Sequence, residues 1–399
     1  MQPLEGKRIV LGVCGSIAAY KAADICSKLV QAGAEVDVIL TVSAQEFVTS
    51  MTFRSLTGRP VFTNMFEPVT GQREEHISLA RAAGLILIAP ASASTIARLT
   101  YGLADDMLSL TVLASRAPVL IAPAMDSQMW EAAATRENVE TLKRRGVSFV
   151  GPAVGRLASG NSGAGRLEDT ETILGAAKAL LGRNGDLAGY SIVVSAGGTR
   201  EPIDPVRFIG NRSSGKMGYA LAEAARDRGA RVTLVATATG LPLPYGVELV
   251  TVETVAEMRR AVLDACAAAD GLVMAAAVSD FRPAQVGDQK IKKGEGGLSL
   301  ELVKNADFLL ELSDSLVKVG FAAETLDLLV NAAQKLRDKR LDLICANDVT
   351  APDAGFGADT NRVSIIDATG AAEELPLLPK YEVAHRILDR MLPLLCEKR

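Results

Sequence analysis

Residues 7–16 read KRIVLGVCGS, and residues 191–198 read SIVVSAGG. Both are apolar runs rich in β-branched side chains that close on a glycine turn. An apolar run without alternation is the mark of a strand covered on both faces. Beyond the first run the spacing predicts a helix over 17–32, ended by Gly33, and then a strand over Glu35–Leu40. Beyond the second it predicts a helix over 215–228, then Gly229-Ala230 and a strand over Arg231–Ala236. Each half therefore opens as strand, glycine turn, helix, Gly-Ala, strand, with an insertion at 199–214 in the second. Further strands are expected at 85–89 and 119–122, each followed by a helix, and a helix over 170–181 closes the first half. The fold class is α/β: two Rossmann-like or flavodoxin-like parallel-sheet domains in tandem, 1–181 and 190–399, joined by a polar, glycine-containing linker at 182–189. Such sheets bind ligands at the carboxyl ends of their strands. The turns to search are 14–16, 41–44, 90–98, 123–130, 195–216 and 275–293.

Composition narrows the function. The chain has 399 residues, 48% of them hydrophobic, and a formal net charge of −4 with both signs interspersed. That length suits two domains, and that charge argues against a nucleic-acid surface. The five cysteines (Cys14, Cys26, Cys266, Cys345, Cys396) form no CxxC pair, and their number is odd. Neither a disulfide framework nor a zinc site is expected, and a reducing, cytoplasmic compartment fits. The N-terminus carries no signal-like run, and the most apolar stretches are too short to span a bilayer.

In the first half, Gly15-Ser16 bridges strand and helix, where free N–H groups favour an anion. The run Ser92-Ala93-Ser94-Thr95 offers hydroxyls that either cap a helix or bind a phosphate. His76 and His385 are the only histidines; His76 stands at a helix start beside two glutamates, and His385 reads as a surface or packing residue on a C-terminal amphipathic helix. Taken in order, Gly15 through Lys21, His76-Ile77, Pro90 through Ala97, Ala104-Asp105-Asp106 and Pro123-Ala124-Met125 resemble the flavin-dependent cysteine decarboxylase family, phosphopantothenoylcysteine decarboxylases in particular. The resemblance covers most of residues 5–181 and implies bound FMN, with Gly15, Ser16, Ser43, Ser92, Ser94, Thr95 and Met125 near it and His76 catalytic. In that family the flavin oxidises the substrate's thiol, carbon dioxide leaves from the resulting thioaldehyde, and reduced flavin returns the electrons. Two positions depart from the family pattern. Asp126 stands where asparagine is usual, and Ser159 where a proton-donating cysteine is usual. An ionised aspartate repels a substrate carboxylate, and a hydroxyl is a far poorer acid than a thiol. Three readings follow: decarboxylation with another donor or water, slow decarboxylation, or a first half kept for assembly.

In the second half, residues 211–218 (NRSSGKMG) place hydroxyls, glycines and a lysine before a helix, as a phosphate cradle does. Met217 replaces the Ser/Thr of a Walker A loop, which excludes an ordinary P-loop. Lys290 through Lys293 are either solvated surface or a cover for a triphosphate. Lys335 and Lys339, four apart, read by spacing as an ordinary charged helix face. With 204–207 (DPVR), 275–283 (AAAVSDFRP), 320–325 (GFAAET) and 344–348 (ICAND), these segments resemble phosphopantothenate–cysteine ligases over nearly all of 187–395. The resemblance implies that CTP activates the phosphopantothenate carboxylate as an acyl-cytidylate, pyrophosphate leaves, and the cysteine amine attacks. Lysines and Mg²⁺ would offset the phosphate charge. It further implies that Met274, Ala275, Ala276 and Asp280 read the cytidine, that Lys290 meets the triphosphate, and that Asn305, Ala306, Asp307, Phe308, Phe321, Lys335 and Lys339 complete the nucleotide site. Asn211 would bind the acyl intermediate; no metal ligand is assigned. Ala306 replaces the family's usual proline.

A dinucleotide-dependent oxidoreductase is a rival reading. It needs a full GxGxxG turn and an acidic residue after the second strand, where Thr41 and Thr237 stand instead. A non-enzymatic flavoprotein scaffold is the other, and the ligase motifs argue against it. The resemblance also implies a homo-oligomer, with a trimer-based flavin half and a dimeric ligase half, acting on small molecules.

Overall fold

The computed structural model describes residues 3–67, 70, 74–292, 298–324, 328–348 and 357–398, so Lys293 and Thr325 of the motifs above lie outside the described residues. The chain forms two compact units, Met1–Gly182 and Arg183–Arg399.

The first unit holds β1 (Arg8–Val13), β2 (Glu35–Leu40), β3 (Val61–Phe62), β4 (Leu85–Ala91), β5 (Val119–Pro123) and β6 (Ser148–Phe149) in one parallel sheet of order β3-β2-β1-β4-β5-β6. Its strands are covered on both faces because their apolar side chains alternate between two cores. Ile9, Leu11 and Val13 pack with Val36, Val38, Leu85 and Leu87 on one face. Val10 packs with Ile39, Ile86 and Ile88 on the other. Each such side chain, fully buried, contributes about 1.5–3 kcal/mol, which is why the run shows no polar alternation. The predicted first helix is divided into a 3₁₀ turn, Ile17–Tyr20, and an α-helix, Lys21–Gln31. An antiparallel hairpin, β7 (Ala153–Arg156) and β8 (Ser162–Arg166), precedes the closing helix Thr170–Gly182.

In the second unit the parallel strands are β9 (Ser191–Ala196), β12 (Arg231–Ala236), β13 (Glu248–Thr251), β14 (Gly271–Met274), β17 (Val317–Glu324) and β18 (Leu343–Asp348). Between them lie the short hairpins β10 (Arg200–Pro202) with β11 (Phe208–Gly210) and β15 (Phe281–Pro283) with β16 (Leu302–Lys304). After β18 come β19 (Thr360–Asn361), β20 (Val363–Asp367), β21 (Ala372–Glu374) and β22 (Leu378–Pro379). The main sheet runs β13-β12-β9-β14-β17-β18-β20-β21. Its first six strands repeat the order of the first unit, and β20 and β21 add an antiparallel edge to this otherwise parallel sheet. Period and composition carry no strand direction, so this edge was not readable from sequence.

Two further expectations gain detail. Within the expected linker at 182–189, Gly182 ends a helix and Leu187 is fully buried in the core of the second unit. His385, open between surface and packing, is a packing residue with 6% exposure, edge-on to Tyr381 on the helix Lys380–Lys398. Among the described residues no helix is long and apolar enough to cross a membrane, and all five cysteines are free.

Candidate active sites

In both units the order of strands reverses beside the first strand, between β1 and β4 and between β9 and β14. That is where a crevice opens at the carboxyl ends, and each unit has a cavity there.

The cavity of the first unit, about 490 Å³, is lined from the turns after β1, β4 and β5 and from the β7–β8 hairpin. It brings together Gly15, Ser16, Ser92, Met125, Asp126 and Ser159. Ser16 Oγ accepts the Ala18 N–H at 3.2 Å, and Ser92 Oγ accepts the Thr95 N–H at 3.2 Å, so both hydroxyls cap helix starts. Gly15 backs onto Ser43: a Cβ there would lie 2.4 Å from Ser43 Cβ, which explains why the first turn carries no side chain. Ser43 and Ser94 are exposed and do not line the cavity, nor does Thr95, buried beneath Ser92 with its hydroxyl 3.1 Å from Cys14 Sγ. Burial pushes the Cys14 thiol up to about 11, so it stands as an inert neutral group. His76, half-buried at the start of the helix Glu75–Ala82, is also outside the lining. Lys21, Met129, Arg156 and Arg166 join it. Arg156 and Met129 carry no signal in the sequence, because an arginine on a short hairpin and a methionine on a five-residue helix have no spacing signature.

Ser159 Oγ donates to Asp126 Oδ2 at 2.7 Å, so the two departures from the family pattern touch each other. That hydroxyl first, and the Gln128 N–H second, hold the Asp126 carboxyl below its usual range.

The cavity of the second unit is larger, about 710 Å³. Asn211, Met274, Ala275, Ala276, Asp280, Asn305, Ala306, Asp307, Phe308, Phe321, Lys335 and Lys339 all line it. Ser195, fully buried on β9, accepts the Ala276 N–H at 3.0 Å and fixes the turn after β14. Asn305 donates from its main chain to Asp280 O (2.8 Å) and from Nδ2 to Ser279 O (2.9 Å), which ties the two loops flanking the β15–β16 hairpin. Asn211 Nδ2 donates to Val278 O at 3.2 Å. Lys339 pairs with Asp307 at 3.0 Å, so what spacing presents as a charged helix face is turned to the cavity. At Gly215 φ is +76°, and a Cβ would stand 2.5 Å from Thr239 Cγ2; the cradle before the helix Lys216–Asp227 requires glycine there.

Lys290 is exposed and off the lining. Its loop is tethered next door, where the Ile291 N–H donates to Asp204 Oδ2 at 3.1 Å. Burial of Asp204 opposes its ionisation, but the N–H groups of Val206, Ile291 and Arg207 and the Arg207 guanidinium outweigh it and hold the carboxyl far below the usual range. Asn361 and Lys380 line the cavity without having been singled out. Both come from the C-terminal strands and helix, and Lys380 is buried with Nζ donating to Thr360 O at 3.1 Å. A lone lysine opening a helix gives no sequence signal of that burial.

Two doubly wound units, each with a crevice at its switch point, define a tandem protein of nucleotide- or flavin-binding type. Residues 1–182 match the family described as Flavoprotein, and 187–394 the family described as DNA/pantothenate metabolism flavoprotein C-terminal domain. Proteins called coenzyme A biosynthesis bifunctional protein CoaBC match end to end. That of Bacillus subtilis (strain 168) is 46% identical over 397 residues, covering 98% of each chain. That of Mycobacterium tuberculosis (strain H37Rv) is 47% identical over 408 residues, covering 98% of this chain and 97% of the relative. That of Vibrio vulnificus (strain CMCP6) is 43% identical, covering 99% and 100%. The chain belongs to this family of bifunctional coenzyme A biosynthesis enzymes, with a flavoprotein decarboxylase unit followed by a ligase unit.

Proposed function

We propose that the second unit joins 4′-phosphopantothenate to cysteine with CTP, and that the first decarboxylates the 4′-phosphopantothenoylcysteine so formed to 4′-phosphopantetheine with FMN. The observation that carries this reading is the gathering of Asn211, Asp280, Asn305–Phe308, Phe321, Lys335 and Lys339, from five separate segments, on one cavity.

In the ligase unit the turn at 274–276 and Asp280 present main-chain groups and a carboxylate to the base and sugar. Lys335 and Lys339 take the phosphates, Lys339 leaving Asp307 to do so. Asn211 holds the activated acyl group for the amine. Lys290, on its tethered loop, reaches the triphosphate only if that loop closes over the nucleotide. Among the described residues no group of three or more His, Cys, Asp or Glu side chains could hold a metal. Mg²⁺ would ride mainly on the nucleotide phosphates, as it commonly does.

In the first unit, hydroxyl and N–H donors at two helix starts, apolar Ile17, Met125 and Met129, and the cations Lys21 and Arg166 suit a flat ring system bearing a phosphate. Gly15, Ser16 and Ser92 would hold FMN, with Met125 against it and Ser43, Ser94 and Thr95 supporting the turns. The bound flavin supplies reversible two-electron oxidation of the substrate thiol. The protein's own part is to bind the substrate's anionic groups and to manage protons. Val42, Phe47 and Met51 are large apolar side chains left exposed outside the cavity lining, which supports a homo-oligomeric first half, read here as trimer-based. A second copy would then supply His76 to a cavity it does not reach in its own chain. A dimeric ligase half and a cytoplasmic location complete the reading.

The test is anaerobic incubation of the FMN-loaded protein with phosphopantothenate, cysteine and each nucleoside triphosphate, following product mass and carbon dioxide. With CTP, the ligation product and then its decarboxylated form should appear. His76→Asn should stop at phosphopantothenoylcysteine, and Lys290→Gln should block its formation while leaving decarboxylation of the added compound intact. Equal ligation with every nucleotide would remove CTP from the reading, and carbon dioxide release unchanged in His76→Asn would remove the role of His76.

A further inference from the structure

Asp126 and Ser159 lie 33 residues apart, one on the turn after β5 and the other at the tip of the β7–β8 hairpin, and they meet across the rim of the first cavity. Ser159 gives its hydroxyl proton to Asp126 Oδ2 at 2.7 Å. Asp126 Oδ1 accepts the Gln128 N–H at 3.0 Å and so caps the helix Ser127–Glu131. Both carboxylate oxygens thus have donors, and the single hydroxyl proton is committed. The same two segments join again below the tip, where the Met125 N–H donates to Gly165 O at 2.9 Å. The tip is itself a tight turn, closed by Leu157 N–H to Asn161 O (2.8 Å) and Gly160 N–H to Leu157 O (3.0 Å). Arg156, Leu157 and Ala158, which lead into it, line the cavity.

We propose that Asp126 and Ser159 act as one positioning pair, which clamps the 157–161 turn over the substrate cavity. In this role Ser159 is not the proton donor of the reaction, and Asp126 does not face the substrate as a free carboxylate. The substrate's anionic groups are met instead by Arg156, which lines the cavity and has no ion-pair partner among the described residues. Arg156 is carried on the hairpin that the pair holds, so the clamp also sets where that guanidinium stands. This inference rests on the decarboxylase reading of the cavity.

The test compares Ser159→Ala, Asp126→Ala, Asp126→Asn and the double alanine variant in the full-length, flavin-loaded protein. The bound-flavin spectrum verifies that the first unit has folded. Two quantities are read: KM and kcat for phosphopantothenoylcysteine, and hydrogen exchange of the 157–161 amides. Asparagine carries no charge; its Oδ1 keeps the Gln128 N–H while its Nδ2 donates to Ser159 Oγ, so the bond within the pair is kept with its direction reversed. Each alanine variant should raise KM by about ten-fold with a smaller change in kcat, and the double variant should be no worse than Asp126→Ala, which already removes the bond within the pair together with the helix cap. Exchange at 157–161 should quicken in all three. Asp126→Asn should stay within about two-fold of the parent in both readouts. Asp126→Asn as damaging as Asp126→Ala, additive losses, or unchanged exchange would each overturn the clamp. If the parent protein releases no carbon dioxide, the decarboxylase reading fails, while the exchange comparison still decides whether the pair clamps.

Discussion

His385 has its ring edge-on to Tyr381, with 4.6 Å between ring centroids, and its Nε2 is buried without a hydrogen-bond partner among the described residues. Burial disfavours the charged imidazolium and brings its pKa down to about 4. An unfolded chain takes up this proton near pH 6.5, whereas the folded one resists it until about pH 4. This residue's contribution is therefore full above about pH 6.5 and shrinks as pH falls towards 4, by on the order of 3 kcal/mol. His385→Phe keeps the aromatic contact and removes the titration. Denaturant unfolding of the ligase unit at pH 7.5 and at about pH 5 should show a smaller loss of stability in the variant than in the parent. From the sequence His385 was only a residue on an amphipathic helix; the neighbour that makes its chemistry, Tyr381, is four positions away and equally unremarkable in the string.

At the scale of elements, the turn between β9's glycines and the helix Lys216–Asp227 shows what local sequence reveals and what it hides. The glycines, hydroxyls and Lys216 were legible as an anion cradle. The requirement at Gly215 was not, since it comes from Thr239, which the fold brings in from the loop after β12. Gly215→Ala imposes both a positive φ on a residue with a Cβ and a contact of 2.5 Å. It should cost about 1–3 kcal/mol and raise KM for CTP, while decarboxylation of added phosphopantothenoylcysteine is unaffected. Thermal unfolding and paired assays of the two reactions measure this. Lys335 and Lys339 teach the converse. Their four-residue spacing is that of any solvated helix face, and only the cavity wall they join distinguishes them.

For the whole molecule, the repeated opening of the two halves was readable because both faces of each sheet are buried, and burial on both faces forces a continuous apolar run. The boundary was less readable. Residues 182–189 look like a tether by composition, yet Leu187 is fully buried in the second unit. Leu187→Ala should destabilise that unit by about 2–4 kcal/mol, seen as a lowered midpoint of its unfolding transition. Flavin content and decarboxylation should stay at parent levels.

The sequence by itself determined the tandem α/β plan, the turns that carry ligands and, by resemblance, the two chemistries, because these follow from local periodicity and contiguous motifs. Only the tertiary structure decided which dispersed residues share a cavity. It placed Lys339 against Asp307, left Lys290 and His76 off the cavity walls, and turned Asp126 and Ser159 from two isolated departures into a bonded pair. The physical reason is that a hydrogen bond or an ion pair depends on separations of a few ångströms between side chains many residues apart, and no period along the chain encodes that distance.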